Sequence, residues 1–285
     1  MAFFGPSGNS NKFYDEGYKS SLQMPKWLSD MGLDAYEYQC SKGVKITEPT
    51  ARKLGEEAKA NNIALSIHAP YYINLATDDE EKRVKSVKYI TDSMIAADFM
   101  GATKVVVHSG ACAKMDRRIA MEYAKKTLSM ALNEAENLGV SHVHICPETM
   151  GKINQLGDLD EVIELCHLDD RLIPTIDFGH LNARTLGGLR EHSDYLEIFY
   201  KIENGLGIDR LKVFHSHFSR IEFTNPGGEK KHHTLADTQY GPEFSPIAEI
   251  VYKKNLTPTF ICESDGTMAE DALSLKKMYL AHFEG

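Results

Sequence analysis

With 285 residues, 42% of them hydrophobic and 26% charged, the chain reads as a globular protein large enough for a substantial core. No stretch nears the roughly 20 apolar residues of a membrane crossing, and Met1-Ala2-Phe3-Phe4 lacks the basic start of a signal segment, so a cytoplasmic protein without membrane contact is expected. The formal charge of −9 excludes broad attraction to nucleic acid or anionic lipid, although bound divalent ions would reverse the sign locally, and five scattered cysteines without a CxxC pair exclude a thiolate zinc site.

Ala2 to Gly5 forms a short first strand, followed by a Gly/Ser/Asn loop to Asn11 and a helix over Gly17 to Met31. Ala35 to Cys40 alternates as a second strand, and Thr47-Glu48-Pro49 opens a helix to about Ala60 with a cap and an early proline. The third strand ends at His68. Acidic Asp78 to Glu81 then starts a long helix that Gly101 ends. Strand four reaches His108, helix Asp116 to Leu138 follows, and strand five reaches Glu148. Helix Leu159 to Cys166, strand six from Leu172 to Asp177, helix Leu189 to Ile202 and strand seven to His215 continue the alternation. Ser219 to Pro242 reads as a long polar loop. Helix Glu243 to Tyr252, strand eight to Glu263 and helix Ala269 to Phe283 close the chain.

Eight strand and helix alternations, with chemistry at the strand carboxyl ends, predict one (β/α)₈ TIM barrel spanning 1–285, with a doubly wound sheet as the runner-up. Six strand-like runs end in a ligand type: His68, His108, Glu148, Asp177, His215 and Glu263. Imidazoles and carboxylates together suit Zn²⁺, with Mn²⁺ or Fe²⁺ as alternatives. Glu148, on a middle strand, is the natural bridging carboxylate and the candidate catalytic residue. His217 shares the inward parity of His215 and is a seventh contributor or a supporting group. His142 and His144 alternate within strand five, one of them facing helices or solvent, and are not counted as ligands; His167, His192 and His282 are read as structural or solvent-facing.

The segment His68-Ala69-Pro70-Tyr71-Tyr72-Ile73-Asn74-Leu75 resembles the His-x-x-Tyr-x-Ile-Asn-Leu of the endonuclease IV family, in the xylose-isomerase-like barrel superfamily. Val107-His108-Ser109-Gly110, Pro147-Glu148-Thr149, Asp177-Phe178-Gly179-His180, His232-His233-Thr234-Leu235 and Ile261-Cys262-Glu263 are similar to further motifs of that family. The resemblance implies a zinc-dependent nuclease that cuts DNA at abasic sites through a metal-bridging hydroxide. One ion would lie on His68, His108 and Glu148, a second on Glu148, Asp177, His215 and Glu263, and a third on His180 and His232. Tyr71, Arg220 and Lys230 would meet substrate, with Lys42, Arg117, Arg184 and Lys231 as further phosphate contacts. DNA carrying an abasic site is the implied partner, and a monomer is expected.

The chain also departs from the family pattern. The family's third-site Asp stands two residues before the His matched by His232, where this chain has Lys230, with Glu229 one residue further back. The His of the first-strand motif is absent from Gly5-Pro6-Ser7-Gly8, and Gln39 to Gly43 has no match to the lesion-reading loop. Two other functions compete. A sugar isomerase or epimerase would use Glu148, Asp177, His215 and Glu263 on one ion. A non-catalytic metal-binding barrel would keep the ligands without turnover.

Overall fold

The computed structural model describes residues 1–283. Eight parallel strands form its central sheet: β1 (Phe3–Pro6), β2 (Ala35–Gln39), β3 (Ala64–His68), β4 (Lys104–His108), β5 (His144–Glu148), β6 (Thr175–Asp177), β7 (His215–Phe218) and, after a hairpin of β8 (Arg220–Thr224) and β9 (Gly228–His233), β10 (Thr259–Cys262). Neighbours run β1-β10-β7-β6-β5-β4-β3-β2. The ends of that ribbon meet: Ser7 bridges Glu37, and Gly8 N–H donates to the Glu37 carbonyl at 2.9 Å, closing the barrel.

The helices are α1 (Asn11–Asp15), α2 (Met24–Met31), α3 (Glu48–Ala60), α4 (Glu80–Met100), α5 (Arg117–Asn137), α6 (Leu159–Cys166), α7 (Phe178–Arg184), α8 (His192–Lys212), α9 (Ser245–Lys253) and α10 (Met268–Leu280). Side-chain oxygens start several of them. Asp79 accepts from the N–H groups of Glu81 and Lys82 before α4, and Asp158 with Glu161 forms a capping box on α6. The apolar core fills the shell between strands and helices, while inside the barrel Val106, Cys146 and Ile173 form a small separate cluster. All five cysteines are free and buried. Among the described residues no helix is long and apolar enough to cross a membrane.

Several expected elements change. The Ser219–Pro242 loop contains the β8–β9 antiparallel hairpin, turning at Asn225-Pro226-Gly227. The helix expected over 17–31 is shorter: Ser20 caps a 3₁₀ turn, Ser21–Gln23, and α2 starts beside Pro25. The helix expected to stop at Ile202 runs on to Lys212 across a break at Gly207 (φ 82°). Asp177 starts the short, unexpected α7 directly from β6.

The closure depends on Gly5, because a Cβ there would lie 1.8 Å from the Ala35 carbonyl oxygen. Gly5→Ala must push β1 and β2 apart. We expect it to cost about 3 kcal/mol in chemical denaturation, and an unchanged midpoint would show that the seam is not tight.

Candidate metal centre

Strand periodicity puts alternate residues inside the barrel. At its carboxyl end these are Gln39, His68, His108, Glu148, Asp177, His217 and, beyond β10, Glu263. One layer below stand Glu37, Ser66, Val106, Cys146, Thr175 and His215. Register sets the levels: β6 aligns Thr175 with His215 and Asp177 with His217.

This register corrects the placement of His215. The expected second group brought His215 to Glu148, Asp177 and Glu263; the structure brings His217 there instead, with donor atoms of the four side chains within 4.8 Å of one another. His215 sits one layer down, its Nε2 2.8 Å from Glu37 Oε2. The apolar run Val213-Phe214 ends at His215, but the strand continues through Ser216-His217-Phe218.

Glu148 is fully buried at the centre of the cluster. Its Oε1 lies 2.9 Å from His217 Nδ1, and its Oε2 lies 3.6 Å from His68 Nε2 and 3.4 Å from His108 Nε2. One carboxylate thus faces two sets of imidazoles. Asp177 caps α7 with Oδ1, which accepts the His180 N–H at 2.7 Å. Its Oδ2, like Glu148 Oε2, is buried without a hydrogen-bond partner.

A third group consists of His180, Glu229 and His232. His180 Nε2 is 3.4 Å from Glu229 Oε2, and His232 Nε2 is 3.8 Å from Glu229 Oε1. Glu229 takes the position where the motif would place the residue numbered 230, and a bulge does this: Glu222 pairs with Lys231 but Phe223 pairs with Glu229, so Lys230 is the extra residue. Lys230 turns out to Glu222 at 2.5 Å. Gly151 makes room, since a Cβ there would meet the Glu229 Cβ at 2.7 Å.

Three histidines are oriented in the same way. The Nδ1 atoms of His68 and His180 face the carbonyls of Ala69 and Thr149, at 2.8 and 2.9 Å, and His232 Nδ1 faces Ser219 Oγ at 2.9 Å. Each Nε2 is left facing the carboxylates, as supporting hydrogen bonds do for metal-ligating imidazoles.

Electrostatics support the same reading. Burial opposes ionisation of Glu148, yet the facing His217, His68 and His108 hold its carboxyl well below the usual range. Burial would lower His68, but Glu148 raises it to about 9. Burial lowers His108 to about 4 and raises Asp177. Against burial, His232 and His180 lower Glu229 to about 2, while Asp177 and Glu229 raise His180 to about 9. These carboxylates call for positive charge. Two partnerless carboxylate oxygens and inward-facing Nε2 atoms fit divalent ions.

The expected phosphate contacts are largely engaged elsewhere. Arg220 is spread over the Asp237 and Tyr240 carbonyls and both Glu243 oxygens. Arg117 holds Glu161, Arg184 holds the carbonyls of Met150, Lys152 and Gln155, and Lys231 lies 3.4 Å from Asp265. Tyr71 is exposed on the loop after β3, its ring 4.7 Å from that of Tyr72. Asn74 of the same loop accepts the N–H groups of Ala76 and Ala111 through one side-chain oxygen, tying the loops after β3 and β4 together.

A family model described as xylose isomerase-like TIM barrel matches residues 25–278. A relative from Methanocaldococcus jannaschii, "Uncharacterized protein MJ0133", is 33% identical over 279 residues, 98% of this chain and 97% of its own length. The probable endonuclease 4 of Ureaplasma urealyticum is 28% identical over 204 residues, 68% of this chain and 63% of that protein, so less than two thirds of its length is matched. Among solved structures, endonuclease IV from Thermus thermophilus superposes with TM-score 0.67 at 19% identity, over 94% of this chain and 96% of that one. A D-tagatose 3-epimerase-like protein superposes with TM-score 0.70 at 22% identity, over 88% and 90%. Such structural likeness carries the fold alone; the family model, which matches most of the chain, gives the placement: the chain belongs to the xylose isomerase-like TIM barrel family, and the endonuclease IV resemblance of its motifs lies within it.

Proposed function

We propose that the chain is a metal-dependent phosphodiester hydrolase of the endonuclease IV kind that cuts DNA at abasic sites, with zinc as its metal. The observation that carries this reading is the convergence of His68, His108, His180 and His232 around the carboxylates, in addition to Glu148, Asp177, His217 and Glu263. A single-ion isomerase needs only the latter four. Ions held there would supply a deprotonated water and neutralise charge developing on phosphoryl oxygens.

The side chains divide the remaining work. Glu148 presents one oxygen to His68 and His108 and the other to His217, which suits it to bridge two ions. Asp177 keeps Oδ2 for an ion while Oδ1 holds α7, and with it His180, in position. Glu229 supplies the carboxylate of a third group, and Lys230, turned outward, is left as a surface cation. Tyr71 and Tyr72 offer exposed aromatic faces beside the mouth for stacking against a nucleic-acid base.

The paired cations favour a second reading, sugar isomerisation or epimerisation, because Arg117, Arg220, Lys230 and Lys231 each already face a carboxylate. Elemental analysis of protein purified without chelator, together with cleavage of a duplex bearing one abasic site, separates the two. Two or three ions with incision support the nuclease, and one ion without incision overturns it. His108→Ala should lose an ion and about 100-fold or more of the incision rate while keeping its circular dichroism, because a strand-end ligand is not core packing. Glu229→Gln should remove one ion, whereas Lys230→Ala should leave the ion count unchanged; the opposite pattern would discard the role given to the bulge.

A further inference from the structure

Among the histidines with assigned facing atoms, His217 is turned the other way. His68, His180 and His232 are steadied at Nδ1 by the Ala69 and Thr149 carbonyls and Ser219 Oγ and turn Nε2 to Glu148 or Glu229, although His180 Nδ1 also lies 3.4 Å from Asp177 Oδ2. His217 faces Glu148 through Nδ1, at 2.9 Å from Oε1, and Glu263 through the same atom, at 3.6 Å. Whatever steadies this ring must stand at Nε2. The nearest carboxylate atom there is Glu37 Oε1, 3.0 Å away, and Nε2, which is buried, has no other hydrogen-bond partner among the described residues and does not meet Oε1 in hydrogen-bond geometry.

Glu37 lies on β2, fully buried one layer below the ligands. Its Oε2 accepts from Ser66 Oγ at 2.9 Å and lies 2.8 Å from His215 Nε2, and Gln39 Nε2 donates to Oε1 at 3.4 Å. Ser66 reaches it because β2 and β3 register Glu37 directly with Ser66. This carboxylate is thus fixed from several sides, and burying it is acceptable only because the surrounding donors satisfy it. His215 is one of those donors, which gives a role to a histidine that stands too deep to reach the upper carboxylates.

We propose that Glu37 is the positioning residue of this metal centre: its carboxylate accepts from the Nε2–H of His217, so that the proton stays on Nε2 and Nδ1 is left for an ion beside Glu148 and Glu263, and it sets the ring's angle. Ser66 and His215 hold Glu37 in turn. The inference rests on the reading of the upper cluster as a metal centre but not on any particular substrate. A carboxylate at the far nitrogen raises the basicity of a ligating imidazole and fixes its orientation, and loss of such a partner typically weakens metal binding by about 10- to 100-fold.

The test is zinc affinity, measured by competition with a chromophoric chelator on the full chain. Glu37→Gln keeps an acceptor oxygen without the charge, and Glu37→Leu removes both. We expect affinity to fall about 10-fold in the first and about 100-fold in the second, with the same number of ions at saturating zinc and an unchanged thermal transition of the metal-free Glu37→Gln protein. In histidine-labelled, zinc-loaded parent protein, nuclear magnetic resonance should show His217 protonated at Nε2. Affinity within about twofold of the parent for Glu37→Gln, well short of the loss expected for such a partner, overturns the proposal, as does a proton found on Nδ1. Loss of a whole ion at saturation overturns it too, since Glu37 would then be a ligand of the Glu37, His215 and His217 group. If the parent takes up no zinc, the metal reading itself fails, and that outcome is distinct from a parent that binds zinc and a variant that binds it equally well. Should Glu37→Leu not fold, Glu37→Gln and the resonance measurement decide alone.

Discussion

A carboxylate buried at the centre of a barrel is unstable on its own, and the arrangement around Glu148 follows from that constraint. Removing a charge from water costs several kcal/mol unless partners compensate it. Here the compensation comes from imidazoles on β3, β4 and β7, each delivered at the carboxyl end of its strand. A centre built in this way gathers the carboxylates of Glu148, Asp177, Glu263 and Glu229 among imidazoles, a donor set that suits divalent cations. The orphaned oxygens of Glu148 and Asp177 mark where such charge would act.

The same constraint explains why the barrel interior is polar. In barrels of this kind the inside is commonly packed with branched apolar residues. In this chain Glu37, Ser66, Thr175 and His215 occupy the layer beneath the ligands, and the apolar cluster there is limited, among the described residues, to Val106, Cys146 and Ile173. The apolar stabilisation has moved to the interface with the helices, where a continuous core joins strand backs to α2 through α10. Hydrogen bonds that fix side-chain angles therefore take the place of apolar packing under the cluster, which stands on a polar floor.

This division also sets what the sequence makes legible. Ligands at the ends of apolar strands are easy to read, because β3, β4, β5 and β10 are largely hydrophobic until they reach the ligand. β7 is not: its inner positions are His215 and His217 and its run Ser216-His217-Phe218 loses the apolar signal, so the expected end falls three residues early. The β8–β9 hairpin is charged or polar on nearly every position of its second strand, and its pairing is visible only in three dimensions. The register shift that exchanges Lys230 for Glu229 leaves no trace in composition, because a bulge depends on backbone pairing rather than on residue type. Glu37 stays silent for another reason: in the sequence Ala35-Tyr36-Glu37-Tyr38-Gln39 it looks like the solvent-facing half of an alternating strand, and only barrel closure turns that face inward.

Closure and site geometry are in this way one problem. The backbone carbonyl of Glu37 accepts the Gly8 N–H, and the residue bridges Ser7, so it is part of the seam between first and last strands of the ribbon. The side chain of that residue reaches beneath His217. Ser7 extends the link upward, since its hydroxyl donates to Glu263 Oε1 at 3.1 Å while Gln39 donates to Ser7. A small gap opening at the seam would therefore be felt at two side chains of the cluster, at His217 through Glu37 and at Glu263 through Ser7. On the metal reading proposed above, ligating side chains would have to be held to within about 0.5 Å of their working geometry, so the close approach that Gly5 permits would serve the site as well as the fold.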